Sequence, residues 1–151
     1  VLLDEPTTGL DPQARHMVWE RLYKLKSEGV TLILTTHYMD EAEQLCDRLV
    51  VMDDARIVAE GTPRALIERY SSREVLELRF ENLTTPDLEH KDGGLITRTE
   101  QLPDRVLLYT DNGEALGEKL YAEGIRPVSS LVRRSSLEDV FLRLTGRRLV
   151  E

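Results

Sequence analysis

The amino-acid sequence predicts an α/β fold: part of a parallel-sheet domain over residues 1–72, followed by a small α+β domain over residues 73–151. Three observations carry this. Two short apolar runs, residues 1–4 and 30–36, flank a segment of helical periodicity, the order in which a right-handed crossover joins parallel strands. After Ser71-Ser72, continuous apolar runs give way to strands that alternate apolar and polar residues. The first apolar run ends on two acids, Asp4-Glu5, which puts charge at the carboxyl mouth of a strand, where open α/β sheets bind their ligands.

Val1-Leu2-Leu3 is apolar on both faces, the pattern of a central parallel strand covered by helices on each side. It opens without a turn, a cap or a methionine, so the chain is expected to be the C-terminal portion of a longer one. Asp11 is a helix N-cap with Pro12 at the first helical position. Ala14, Val18, Leu22 and Leu25 then share one helical face, and Glu28-Gly29 closes the helix. The β-branched run 30–36 is the second strand, and His37 stands just past it. Asp40, Glu41 and Glu43 fill the first turns of a short helix, where negative charge suits the helix dipole. Residues 48–52 and 56–59 make a hairpin about Asp53-Asp54-Ala55, and Gly61-Thr62-Pro63 opens a helix to Tyr70.

In the second domain, residues 74–80 and 105–110 read as strands, with an irregular polar stretch over 82–94 between them. A helix over 114–123, a strand over 125–132 and a helix over 136–144 complete it. Ser135 or Ser136, with Glu138 or Asp139 in the first turn, caps the last helix.

Composition narrows the class. Twenty-eight acidic residues against 20 basic ones give a net charge of −8, which argues against a nucleic-acid partner, because phosphate binding needs concentrated positive surface. The single cysteine, Cys46, cannot form an internal disulfide and fits a reducing compartment. No apolar run approaches the 18 or so residues that span a bilayer, so a membrane role is expected through a partner and not by direct insertion.

The chemistry sits in Leu2-Leu3-Asp4-Glu5-Pro6-Thr7-Thr8-Gly9-Leu10-Asp11-Pro12. Neighbours in a strand point to opposite faces, but the chain is turning at its end, so one acid can reach a Mg²⁺ ion while the next reaches a water beside a terminal phosphate. This run resembles the Walker B segment and D-loop of ABC ATPases, and Thr35-Thr36-His37-Tyr38-Met39-Asp40-Glu41-Ala42-Glu43 resembles their switch-histidine segment. The resemblance covers about residues 1–70 and implies a phosphate-loop-type parallel-sheet ATPase domain. It implies that Asp4 coordinates Mg²⁺ and that Glu5 is the general base or water-orienting acid. His37 is implied to contact the γ-phosphate of ATP, and Asp11 to face a second ATPase subunit across a nucleotide-bound homodimer.

Leu137-Glu138-Asp139-Val140-Phe141-Leu142-Arg143-Leu144-Thr145-Gly146-Arg147 is similar to the tail of daunorubicin-resistance-type ATPases, which drive ABC-2 class exporters. That likeness implies a transmembrane permease partner and a cytoplasmic chain, peripheral on the inner face of the membrane. Cargo choice would then lie largely in the permease.

The sequence departs from the family in having no G-x-x-x-x-G-K-[ST] loop and no Ser-Gly-Gly-Gln-like signature; both precede Walker B in the family. Residues 113–120 imitate the loop only superficially and form an amphipathic helix. The 151 residues alone are therefore expected to be inactive. Two other functions compete: a dimerisation or regulatory module in residues 73–151, and a soluble ABC-type ATPase of translation or DNA repair.

Structural readings stand beside these. Asp4-Glu5 also suits a solvated turn, His37 a capping or core position, and Asp11 a simple N-cap. Trp19 and Tyr23 read as packing residues, Cys46 as core, and the pairs Arg133-Arg134 and Arg147-Arg148 as solvated charge.

Overall fold

A computed structural model describes residues 1–146. Strands β1 (Leu2–Asp4) and β2 (Ile33–Thr35) pair in parallel, Asp4 opposite Thr35, and helix α1 (Pro12–Ser27) crosses between them. Its start and stop follow from local chemistry: Asp11 Oδ1 accepts a hydrogen bond from the Ala14 amide at 2.8 Å, and Gly29 at φ +88° takes the chain out of the helix. Trp19 and Leu22 of α1 and Leu45 of α2 (Met39–Leu45) form a small core, against which Leu3 and Leu34 pack. The sequence pattern predicts strands buried on both faces. Instead Leu2 and Ile33 are 78% and 61% exposed, because α1 takes only the alternate residues Leu3 and Leu34.

A hairpin follows, β3 (Leu49–Asp53) and β4 (Arg56–Gly61), closed by Asp54 and Ala55 at φ +47° and +60°. Two left-handed residues in succession give the turn whose twist matches the strands. Thr62 caps α3 (Pro63–Tyr70) through the Ala65 amide at 3.1 Å.

The rest is a four-stranded antiparallel sheet in the order β6 (Arg98–Gln101), β7 (Val106–Thr110), β5 (Glu74–Arg79), β8 (Ser129–Arg134). The interior strand β7 is buried throughout. On one face, Leu76, Leu78, Val106 and Leu108 pack on Leu116 and Leu120 of α4 (Gly113–Ala122) and on Ile125. On the other, Val75, Leu107 and Tyr109 meet Leu142 of α5 (Leu137–Thr145). Helix α5 also reaches the first half of the chain. Leu137, Val140 and Phe141 share a core with Ala42, Val51, Ala59 and Leu66, and the Leu137 amide donates to Glu43 Oε1 at 2.8 Å. One helix thus joins α2 and α3 to the C-terminal sheet.

Two further sequence expectations are corrected, and one strand is added. The last strand runs from Ser129, not from 125: Ile125 is drawn back by its amide bond to the Leu120 carbonyl, and Pro127 has no amide to offer a ladder. Strand β6, unassigned in the sequence, is a polar edge strand without apolar alternation. Arg133 is not solvated charge; it donates to Asp139 Oδ2 and Oδ1 at 2.7 and 2.9 Å and to Glu77 Oε1 at 3.0 Å. Arg147 and Arg148 lie outside the described residues.

Asp139 gathers further bonds, from the Tyr109 hydroxyl at 2.9 Å and from the Ser136 amide at 2.8 Å, where it completes the capping box of α5. Burial pushes its carboxyl up, but Arg133, with help from Ser136 and Tyr109, holds it below the ordinary range. Burial and the same carboxylate push the Tyr109 hydroxyl upward. Burial likewise raises the Cys46 thiol, which packs against the core shared with α5. Among the described residues, no helix is long and apolar enough to cross a membrane.

Candidate functional site

Parallel pairing of β1 and β2 brings the ends of both strands to one edge, and with them the residues singled out in the sequence. His37 Nδ1 lies 2.6 Å from Glu5 Oε2. An ionised carboxylate only accepts, so Nδ1 carries the proton and Nε2 remains as the ring's other polar atom. The two side chains are about one-third exposed, at 32% and 37%. Each is thus packed well enough to be oriented, yet open to solvent and ligand.

Glu5 is held in an unusual backbone. Its φ of +48° lies in the left-handed region, at a cost of order 1–3 kcal/mol for a non-glycine residue. Contacts with β2 compensate: the Glu5 amide donates to the Thr35 carbonyl at 3.0 Å and approaches Thr35 Oγ1 at 3.2 Å. The Thr8 hydroxyl donates to Glu5 Oε2 at 3.1 Å, and the Thr8 amide to the Glu5 carbonyl at 3.3 Å. This reversal turns the Glu5 side chain away from the alternation of the strand and toward His37.

Asp4 is exposed and accepts a short hydrogen bond from the Thr35 hydroxyl through Oδ1, which leaves Oδ2 for another partner. That donor set fits Mg²⁺. The ion is commonly bound by one or two carboxylates, with water and substrate phosphates completing its shell, and no cluster of three or more acidic, histidine or cysteine ligands occurs among the described residues. Asp4 is the residue that would hold it.

Asp11 stays outside this cluster. Its carboxylate caps α1, it is exposed, and no contact joins it to Asp4, Glu5 or His37. The Tyr38 ring packs on His37 with centroids 4.1 Å apart, and the Arg15 guanidinium stacks over Tyr38 at 4.4 Å. A separate cleft of about 600 Å³ lies on another part of the surface, lined by Glu43, Ile67, Ser72, Arg73 and Arg134 among others, and shares no residue with the acids and His37.

Four contributors were not read from the sequence: Thr8 and Thr35, which fix the two acids, and Thr7 and Glu41 behind them. The Thr7 hydroxyl donates to Glu41 Oε1 at 2.7 Å, and the Trp19 indole donates to the same oxygen at 2.9 Å. A signal for Glu41 exists. It stands four residues before the buried Leu45, so a helix places both on one face.

A family model described as "Nodulation factor export protein NodI, C-terminal domain" matches residues 87–146. The curated relatives include "Nod factor export ATP-binding protein I" of Burkholderia pseudomallei (strain 1710b), 46% identical over 154 residues, which cover 100% of this chain and 48% of the relative. The protein of the same name from Rhizobium sp. (strain N33) is 46% identical over 149 residues, with 99% and 48% covered. A solved structure titled "Structure of ATP binding subunit of ABC transporter" is 36% identical and covers 46% of this chain and 29% of its own; its TM-score of 0.41 is too low to show a shared fold. The chain spans about half the length of the curated relatives it matches. The aligned stretches take in both the acid-pair segment and the C-terminal sheet, so the chain is similar over its whole length to the C-terminal half of these Nod factor export ATP-binding proteins.

Proposed function

We propose that the protein carrying this chain hydrolyses ATP to drive an ABC exporter, and that Asp4, Glu5 and His37 form the hydrolytic half of its nucleotide site. The observation that supports this most is the 2.6 Å contact between His37 Nδ1 and Glu5 Oε2 at the ends of paired parallel strands. Phosphoryl transfer asks the protein for little covalent chemistry; it asks for an oriented water and for relief of charge on the phosphate oxygens.

In this reading Glu5 accepts a hydrogen bond from the attacking water, or takes its proton, through the carboxylate that Thr8 and His37 hold in place. His37 keeps Glu5 oriented through Nδ1–H; in the neutral ring Nε2 accepts from the water, and in the imidazolium form Nε2–H donates to an oxygen of the terminal phosphate. Asp4 would hold Mg²⁺, which neutralises phosphate charge when bound. Asp11 would face the second subunit of a head-to-tail dimer, a role its capping bond leaves open, since its other oxygen has no bond within α1.

The export direction follows the names of the relatives and the residues 137–147 that resemble ABC-2 exporter ATPases. A transmembrane permease is the proposed partner, with the subunit on the cytoplasmic face of the membrane. We further propose the division into residues 1–72 and 73–151. The sheet core about Leu76, Val106, Leu108 and Leu116 favours it, and α5 would transmit between the two parts through its shared core with Ala42 and Leu66.

In the complete subunit, Glu5→Gln is expected to lower kcat for ATP hydrolysis by about 10²- to 10⁴-fold while nucleotide still binds. Near-parental hydrolysis by that variant overturns the assignment. Residues 1–151 alone lack the phosphate loop and are expected to show no turnover; turnover that disappears in Glu5→Gln would contradict this.

A further inference from the structure

Glu41 is fully buried, yet only one of its oxygens is used. Oε1 accepts from both Thr7 and Trp19, and Oε2 has no partner. Leaving a buried acceptor unpaired is unfavourable, more so for a charged group, so its presence here calls for an explanation beyond packing. The geometry supplies one. Thr7 is two residues after Glu5 and is itself 1% exposed, while Glu41 is four residues after His37 on α2. Their bond fastens the loop after Glu5 to the helix after His37, beside the Glu5–His37 contact. Trp19, on α1, anchors the same oxygen from a third element.

We infer that Glu41 and Thr7 are positioning residues: the buried bond between them sets the register of the Glu5 loop against the His37 helix and so fixes the separation of Glu5 and His37. This rests on the function proposed above. A carboxyl oxygen is suited to the role because it accepts; two donors, a hydroxyl and an indole N–H, converge on Oε1, and neither can rotate to an alternative partner without breaking the pair. A hydrogen bond in the low-dielectric interior is stronger than one in water and fixes geometry more firmly. A displacement of about 1 Å in a reacting constellation can cost up to about 10²-fold in rate.

The test is the ATPase kinetics of the complete subunit. Thr7→Val keeps the shape of the side chain and removes the donor; Thr7→Ser keeps the donor. Thr7→Val is expected to lower kcat about 10-fold with KM for ATP unchanged within about 2-fold, and Thr7→Ser to restore kcat. Glu41→Leu is expected to lower kcat at least as much, and the Thr7→Val/Glu41→Leu pair no further than Glu41→Leu alone, since both remove one bond. Because Glu41→Leu also strips Trp19 of its acceptor and lowers Tm, the decision rests on Thr7→Val. A Thr7→Val kcat within about 2-fold of the parent overturns the inference, as does equal loss in Thr7→Ser. Glu5→Gln is run alongside. If it hydrolyses ATP like the parent, the proposed function falls and this inference with it; if it is inactive while Thr7→Val is normal, the inference alone falls.

Discussion

The strand ends that carry Asp4 and Glu5 handle charge differently from the C-terminal sheet and the helix packed on it. In and around the C-terminal sheet, acids meet bases: Asp139 and Glu77 share Arg133, Glu77 also meets Arg105, and Asp104 lies between Arg79 and Arg105. At the ends of β1 and β2, Asp4 and Glu5 have no arginine or lysine partner among the described residues; their side chains contact two hydroxyls and one imidazole. Neutralised acids hold a fold together, whereas acids left with hydroxyl and imidazole contacts are available to a cation or a water. The backbone agrees, with the left-handed φ of Glu5 set at the strand end and the regular ladder of β5, β7 and β8 in the sheet.

Substitutions can break this contrast. The largest effect is expected for His37→Ala in the complete subunit: a fall in kcat of about 10²- to 10⁴-fold with little change in unfolding free energy, read by steady-state kinetics beside urea denaturation. Asp139→Ala should do the reverse for residues 1–151, destabilising by about 3–5 kcal/mol because Arg133 and the Tyr109 hydroxyl lose a buried partner. Gly113→Ala comes next, at about 1–3 kcal/mol, since a Cβ there would lie 2.6 Å from Val132 Cγ1 and force β8 or α4 to shift. Smallest is Glu43→Ala, which leaves the first amide of α5 without its acceptor, at about 1 kcal/mol.

Acid sharpens the same comparison. The Asp139 carboxyl is lowered in the fold, and Asp104, through its bonds to Arg105, is lowered to about 2. A group whose folded pKa is depressed contributes stability that is complete above its unfolded value, near 3.9, and that is lost as pH falls through the folded value. Stability is therefore expected to hold from neutral pH to about 5 and to fall below about 4, monitored by tyrosine and tryptophan fluorescence. Asp139→Asn should flatten that acid limb.

Much of this was legible because it is local. The Asp11 cap, the helix opening at Gly61-Thr62-Pro63, a serine cap at 135 or 136, the turn about Asp53-Asp54-Ala55 and the glycine after α1 each follow from a few adjacent residues; the structure has them there and selects Ser136 for the last cap. The acids and His37 were legible as a pair of strand ends, which a parallel crossover brings to one edge. What could not be read depends on tertiary choice. Of Asp40, Glu41 and Glu43 on one short helix, all suited to solvent, Glu41 turns inward because Trp19 and Thr7 offer donors there, and Glu43 turns to the start of α5. Arg133 looked like surface charge because Glu77 and Asp139 are 56 and 6 residues away in sequence and only the sheet and α5 bring them together. The exposed Leu2 and Ile33 show the converse: an apolar pattern states a preference for burial, and a two-stranded sheet meets it on one face only.

The central claim is that Glu5 and His37 act as one unit on one phosphate. A double-mutant cycle on kcat in the complete subunit tests it most directly, with Glu5→Gln, His37→Ala and the two combined. The double variant is expected to be no slower than the slower single variant, because either change alone dismantles the 2.6 Å pair. Losses that multiply, as for two residues working independently, would contradict it.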